Sequence, residues 1–410
     1  MPKILAILAG CSLIAGLCTT PQASAAPAAA GDRWAGSYTR IAAKRVLDTR
    51  SGLGGYQGLV SPGHTVTFTV SSAGWQAAVI DVTVPAPAPA GSLSVYPGGT
   101  TWDGRVTMTL TGGGNIQQQL TVALGAGGGV TIRSNAARPT HLIVDVLGYY
   151  AAGTPVVTGM FGSANGRVLD TRNGIGAPRA AVGAGKKVTV ALAGRGGIPA
   201  GGAIAVVADV AVLAPRSTGQ LVITDGDGSL ATTRLRFVGS QTAPQTMQTE
   251  RVVMLGSDGR LSFTNSSASS VQLVVDVFGY FLRGGLEPDY YDLGYYIPLS
   301  PQPVTALTLR GRTPVEFYPP GVREGWMAAN LVMTTDQPAQ PVALGIYAPY
   351  ANYPNAPWSG SPVVSSSAWL QPTELTVDTG VWYVMVRNLK DTDVALHCYV
   401  TGYYWVSPGI

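Results

Sequence analysis

The sequence predicts an all-β protein: three tandem antiparallel β-sandwich or β-barrel modules, the third divergent. Three observations lead there. The composition disfavours helices, with 53 Gly, 29 Pro and only 12% charged residues. Short runs alternate apolar and polar residues, as in His64 to Val70, Arg105 to Leu110 and Lys187 to Leu192. Such a period of two sends alternate side chains to opposite faces of a strand. Finally, the same landmarks recur along the chain. A hydrophobic fraction of 46% is enough for a core and excludes a disordered chain.

The N-terminus comes first. Lys3 precedes the apolar run Ile4 to Leu17, and Ala23-Ser24-Ala25 follows a polar stretch. This order predicts a secretory signal peptide over residues 1–25, cut before Ala26, with 26–35 as a short linker. The run is shorter than the ~20 residues of a membrane helix. A lipobox at Leu8-Ala9-Gly10-Cys11 would leave too short a signal. The expected destination is therefore secreted, extracellular or cell-surface associated, with no membrane span. Cys11 and Cys18 leave with the signal, so Cys398 stands alone and no internal disulfide forms. It lies in the strand-like run Val394 to Val400, where burial is expected.

Module one covers 36–152 and module two 156–284. Arg45-Val46-Leu47-Asp48-Thr49-Arg50 recurs as Arg167-Val168-Leu169-Asp170-Thr171-Arg172. Val79-Ile80-Asp81-Val82 answers Val207-Ala208-Asp209-Val210, and Gly91 to Val95 answers Gly219 to Ile223. The closing signal Val144-Asp145-Val146-Leu147-Gly148-Tyr149-Tyr150 returns as Val275-Asp276-Val277-Phe278-Gly279-Tyr280-Phe281. A degenerate third copy spans 290–406 and closes on Gly402-Tyr403-Tyr404. Asn135, Asn265 and Asn388 each end a strand-like run ahead of that glycine. Seven or eight strands per module fit a sandwich or a barrel. Linkers are short, so the modules form a semi-rigid rod or a compact cluster.

Asp145 and Asp276 sit inside apolar strands, where a lone carboxylate needs a partner. The expectation is that Arg45 or Arg50 pairs with Asp145, and Arg167 or Arg172 with Asp276. Module three carries Tyr399 in place of the Asp and has also lost the Arg-rich hexapeptide. Joint loss is what a structural pair predicts.

The hexapeptide, the Asp-Val-Thr-Val strand Asp81 to Val84 and the Val-Asp-Val-x-Gly-Tyr-aromatic close resemble a repeat family of secreted actinobacterial proteins. The resemblance covers roughly residues 38–283. It implies a secreted or cell-surface β protein and carries no activity with it.

Catalytic signals are sparse. His64, His141 and His397 lie far apart, with no metal-ligand spacing. No Gly-x-Ser-x-Gly elbow appears. Asp225-Gly226-Asp227-Gly228 lacks the further carboxylates of a calcium loop and reads as a turn. No cofactor and no metal are expected, and the formal charge of +4 without a basic run excludes a nucleic-acid footprint. Aromatic residues are the best functional clue. Residues 285–410 hold five of eight Trp and 12 of 18 Tyr. Tyr347, Tyr350, Tyr353 and Trp358 fall in one Pro-rich segment that cannot be a central strand. They are the candidate binding residues, suited to a sugar face or a protein interface. Tyr290, Tyr291, Tyr295 and Tyr296 are expected to pack between modules two and three.

These features predict a non-catalytic binding or adhesion protein. Module three would recognise an extracellular glycan, the cell wall or a surface protein. A structural or assembly role, as a homo- or hetero-oligomer, is the rival reading. A secreted hydrolase with a spatially assembled site is the third.

Overall fold

Module one turns its alternating runs into eight strands. They are β1 (Tyr38–Asp48), β2 (Thr65–Thr69), β3 (Trp75–Val84), β4 (Ala88–Pro97), β5 (Met108–Gly113), β6 (Ile116–Ala123), β7 (Gly129–Ser134) and β8 (Ile143–Ala151). They form two antiparallel sheets, ordered β1-β8-β3-β6 and β2-β7-β4-β5. This is the strand order of a jelly roll, so each module is a sandwich and not a closed barrel. The computed structural model describes residues 37–405 apart from 73, 87, 152–158, 227–232, 243–245, 284–292, 300–304, 319–325, 336–343, 348–372, 379–383, 389–390 and 392. The expected signal peptide therefore lies outside the described residues.

Module two repeats the order with β9 (Met160–Asp170), β10 (Lys187–Ala191), β11 (Ala203–Leu213), β12 (Gly219–Asp225), β13 (Thr233–Phe237), β14 (Met247–Met254), β15 (Arg260–Asn265) and β16 (Gln272–Leu282). Its sheets run β9-β16-β11-β14 and β10-β15-β12-β13. Module three contributes β17 (Leu293–Pro298), β18 (Thr305–Leu309), β19 (Pro314–Phe317), β20 (Trp326–Thr335), β21 (Leu344–Tyr347), β22 (Thr373–Asp378), β23 (Val384–Asn388) and β24 (Val394–Trp405). Here β17 and β18 both pair with β24, beside β20 and β22, and β19-β23-β21 form the second sheet. The short pairing of β17 with β9 joins the sheets of modules two and three.

One expected strand shifts. Arg105 to Leu110 alternates, yet β5 begins only at Met108 and runs on to Gly113. Arg105 instead belongs to the turn after β4, where its backbone N–H donates to Asp103. A short alternating stretch cannot mark its own start, because the ladder partner decides that.

The closing signal has the same geometry three times. Leu147, Phe278 and Thr401 each fall at a register shift, one residue before the motif glycine. The extra residue reverses which face the following side chains take. The first aromatic then packs on its own module's core: Tyr149, Tyr280 and Tyr403. The second, Tyr150, Phe281 or Tyr404, points outward into a cluster shared by all three modules. The glycine leaves room for a ring from the module's first strand. A Cβ on Gly148, Gly279 or Gly402 would lie 2.3, 2.2 or 2.3 Å from Tyr38, Phe161 or Tyr296. Six rings thus converge, with Phe161 stacked on Tyr404 at 3.9 Å between centroids and the Tyr150 and Tyr404 hydroxyls 2.8 Å apart. Tyr296, expected between modules, is fully buried there.

Because their outer faces meet this cluster, β3 and β11 are buried on both sides. That explains their near-continuous apolar runs, Ala77 to Val84 and Ile204 to Val212. The modules are a cluster around a common aromatic centre, not a rod.

Candidate functional site

The hexapeptide is accounted for residue by residue. Arg45 forks onto Asp145, Nε to Oδ1 at 2.9 Å and Nη2 to Oδ2 at 3.2 Å. Arg167 does the same to Asp276, at 2.9 and 3.0 Å. The other arginine turns back within the motif. Arg50 forks onto Asp48 at 2.9 and 2.7 Å, and Arg172 onto Asp170 at 3.0 and 2.8 Å. These side-chain bonds hold Asp48 and Asp170 down to a pKa of about 2 and raise the arginines. The Leu fills the core, and the Thr hydroxyl accepts from the backbone N–H of Leu142 or Leu273. So the two arginines offered for each cross-strand pair are not interchangeable: Arg50 and Arg172 hold the turn. Asp145 is also less buried than its apolar strand suggests, with 24% of its side chain exposed against 9% for Asp276.

Of the aromatic candidates, Tyr347 ends β21, opposite Met385. Tyr350, Tyr353 and Trp358 lie outside the described residues, as do Tyr290 and Tyr291. Cys398 is buried in β24, and burial pushes its thiol well up. Among the described residues no group of three His, Cys, Asp or Glu could hold a metal ion.

A different place draws functional side chains together, and the repeat explains it. Modules meet head to tail. At the junction of modules one and two, Asp81 leaves the outer face of β3 and reaches Arg251 Nη1 at 2.6 Å and Thr233 Oγ1 at 3.0 Å. Both partners lie at the open edge of module two's sandwich, where β13 and β14 end their two sheets. The corresponding residues at the junction of modules three and one follow from strand register. Val332 stands for Asp81, since each faces the residue three before the motif glycine. Leu120 stands for Arg251, and Val106 for Thr233. Both members of the ion pair are apolar at this second junction, and the space there is a pocket.

The pocket measures about 90 Å³. Leu120, Val122, Val332 and Val400 supply apolar lining; Thr107 and Thr401, also in the wall, donate their hydroxyls to the Leu93 and Asn330 carbonyls. It opens because β5 pairs with β4 only as far as Leu93, leaving Ser94 to Pro97 uncovered on that edge. The turn that follows folds over the gap. Trp102 Nε1 donates to the Arg105 carbonyl at 3.3 Å, and Ser94 Oγ donates to the same oxygen. Arg105 pairs with Asp103 at 2.5 Å and lies 4.9 Å over the Tyr399 ring. Tyr399 donates its hydroxyl to the Val106 carbonyl at 3.2 Å. Arg133 lies 4.3 Å over Trp102. Two of the rings that line the pocket, Tyr399 and Trp102, thus each carry a guanidinium in a cation–π contact, that of Arg133 lying behind the lining itself. The residue that replaced the strand carboxylate, Tyr399, is thus part of this wall. Trp102 was the missed signal: a lone Trp in the polar turn Gly98 to Gly104.

This turn follows the fourth strand of its module. The segment with Tyr350, Tyr353 and Trp358 follows β21, the fourth strand of module three by sheet order.

No family model matches the chain, and no curated protein matches it. Among solved structures, one described as the triple jelly roll fold and turret assembly of an archaeal virus aligns at 12% identity, over 91% of this chain and 90% of that one, with a TM-score of 0.18. A second, of Sulfolobus turreted icosahedral virus, gives 12% identity over 92% of each chain and the same TM-score of 0.18. A tandem CBM22 domain of Paenibacillus barcinonensis Xyn10C gives 12% identity, 60% of this chain, 99% of that chain and a TM-score of 0.18. Likenesses this weak carry no argument about this chain. The jelly-roll assignment rests on the strand order alone.

Proposed function

We propose that the chain is a secreted, non-catalytic binding protein that holds a surface glycan at the junction of modules one and three. The observation that carries this reading is the pocket itself. It has an apolar floor, threonine hydroxyls and aromatic rings, the mixture that suits a sugar ring with one apolar and one polar face. At this junction Val332 and Leu120 stand where the first junction has its ion pair. Tyr350, Tyr353 and Trp358, in the Pro-rich segment after β21, would offer module three a further glycan contact of its own.

The assembly reading has less support. Stacking modules into filaments needs free module faces, and the outer faces of β3, β8, β11 and β16 are used within the chain. The test is a glycan array with the full chain, alongside Trp102→Ala and Tyr399→Ala. Binding that drops about tenfold or more in either variant, at unchanged melting temperature, is the expected result. No binding to any glycan would overturn the reading.

A further inference from the structure

We propose that the glycan held at this junction is anionic, its sugar ring in the pocket and its carboxylate or phosphate on Arg133. The inference rests on the glycan-binding reading above and narrows it to a ligand class.

Arg133 differs from the other arginines near the pocket or in the hexapeptides. Arg105 is neutralised by Asp103, Arg45 by Asp145 and Arg50 by Asp48. Arg133 has no acidic partner among the described residues. Its Nε donates to the Asn135 side-chain oxygen at 3.3 Å, which fixes the guanidinium without cancelling its charge. Its position on β7 explains why. Arg133 stands opposite Thr65 of β2 and Ser94 of β4, both uncharged. Tyr96 lies on the same strand face, opposite Thr131. The charge of Arg133 acts on the Tyr96 phenol, and both Tyr96 and Trp102 line the pocket.

The stacked geometry matters more than the charge alone. A guanidinium lying over an indole ring keeps its N–H bonds in its own plane, aimed sideways. Nε is used by Asn135, which leaves the two terminal nitrogens to meet an oxyanion with two parallel hydrogen bonds. Gly63 lies beside this edge, where a Cβ would be in van der Waals contact with Nη2 at 3.7 Å, and Arg133 itself stays partly exposed. A neutral sugar would leave those donors to water. An acidic sugar would use them while its ring covers the Trp102 and Leu120 side of the pocket.

The test uses the purified full chain and titration calorimetry with three ligand sets: neutral oligosaccharides, uronate oligosaccharides and phosphorylated oligosaccharides. Arg133→Ala, Arg133→Lys and the remote surface variant Arg216→Ala are compared, each checked by thermal melting. Expected is binding of one or both anionic sets, weakened about tenfold or more by Arg133→Ala and less by Arg133→Lys. Arg216→Ala should have no effect. The two anionic arms separate a carboxylate from a phosphate ligand. Neutral sugars binding as tightly as anionic ones, with Arg133→Ala unchanged, would overturn this inference and leave the glycan reading standing. Equal losses in Arg133→Ala and Arg216→Ala would overturn it too, as mere charge attraction. Silence in all three sets would overturn both.

Discussion

At the scale of the residue, the carboxylates divide into opposite classes. Asp48 and Asp170 are each clasped by arginines and titrate at about 2. Their folded pKa lies below the unfolded one, so their stabilisation is present above about pH 4 and lost as pH falls towards 2. Asp209 is the reverse. It occupies the position of Asp81, but among the described residues only Gln248 bonds its carboxylate, and Oδ1 has no partner. Burial raises it to about 7, with Asp276 adding to the shift and Arg167 opposing it. Its folded pKa exceeds the unfolded value, so its contribution is full below about pH 4 and is lost as pH rises through 7. Together these groups place maximal stability near pH 4–5 by about this logic. Denaturant titrations of Asp209→Asn across pH should lack most of the decline between pH 4 and 8, a difference on the order of 3 kcal/mol. An unchanged profile would refute this account. Asp170→Ala should cost about 2 kcal/mol at pH 7, read from the same titrations, and the cost should vanish near pH 2.

At the scale of the element, the bulge and its glycine are the device that builds the centre. Gly148→Ala, Gly279→Ala and Gly402→Ala should each cost about 1–3 kcal/mol by overpacking a ring. Near-equal losses in melting experiments are expected, because each glycine faces a ring of its own module's first strand at the same separation. A neutral Gly402→Ala would deny module three its place as a true copy. Much of this level was legible. Gly402-Tyr403-Tyr404 marked the third module although its hexapeptide was gone. The pairing of Asp145 and Asp276 with the hexapeptide was readable from their joint loss. Which arginine answers was not, since Arg45 reaches Asp145 through cross-strand register and Arg50 bends back in a turn. The Trp102 turn was also invisible, because nothing local says that β5 stops at Leu93's partner and leaves an edge open.

At the scale of the whole molecule, the modules meet head to tail, and the two junctions described above are variations on one contact. The first uses a buried ion pair. Arg251 is fully buried, and among the described residues its Nε and Nη2 have no hydrogen-bond partner. Asp81→Ala would leave that charge uncompensated and should cost about 3–5 kcal/mol. The chain itself shows the apolar solution, in Val332 and Leu120. Asp81→Val with Arg251→Leu should therefore recover most of the loss, within about 1 kcal/mol of the parent in denaturant titrations. A double variant as unstable as Asp81→Ala would show that the pair does more than fill its site.

Fold class and the repeated closing motif were legible in the sequence. Those are written in local period and in repeated motifs, which depend on neighbours a few residues away. That the modules surround a common centre, and that a pocket lies between modules one and three, follows from contacts between distant residues and was not legible locally. Trp102 and Tyr399 lie 297 positions apart by number, and only the packing of different modules brings them to one pocket wall. The exchange of a strand Asp for a Tyr was visible from the start; its meaning lay in what the Tyr faces.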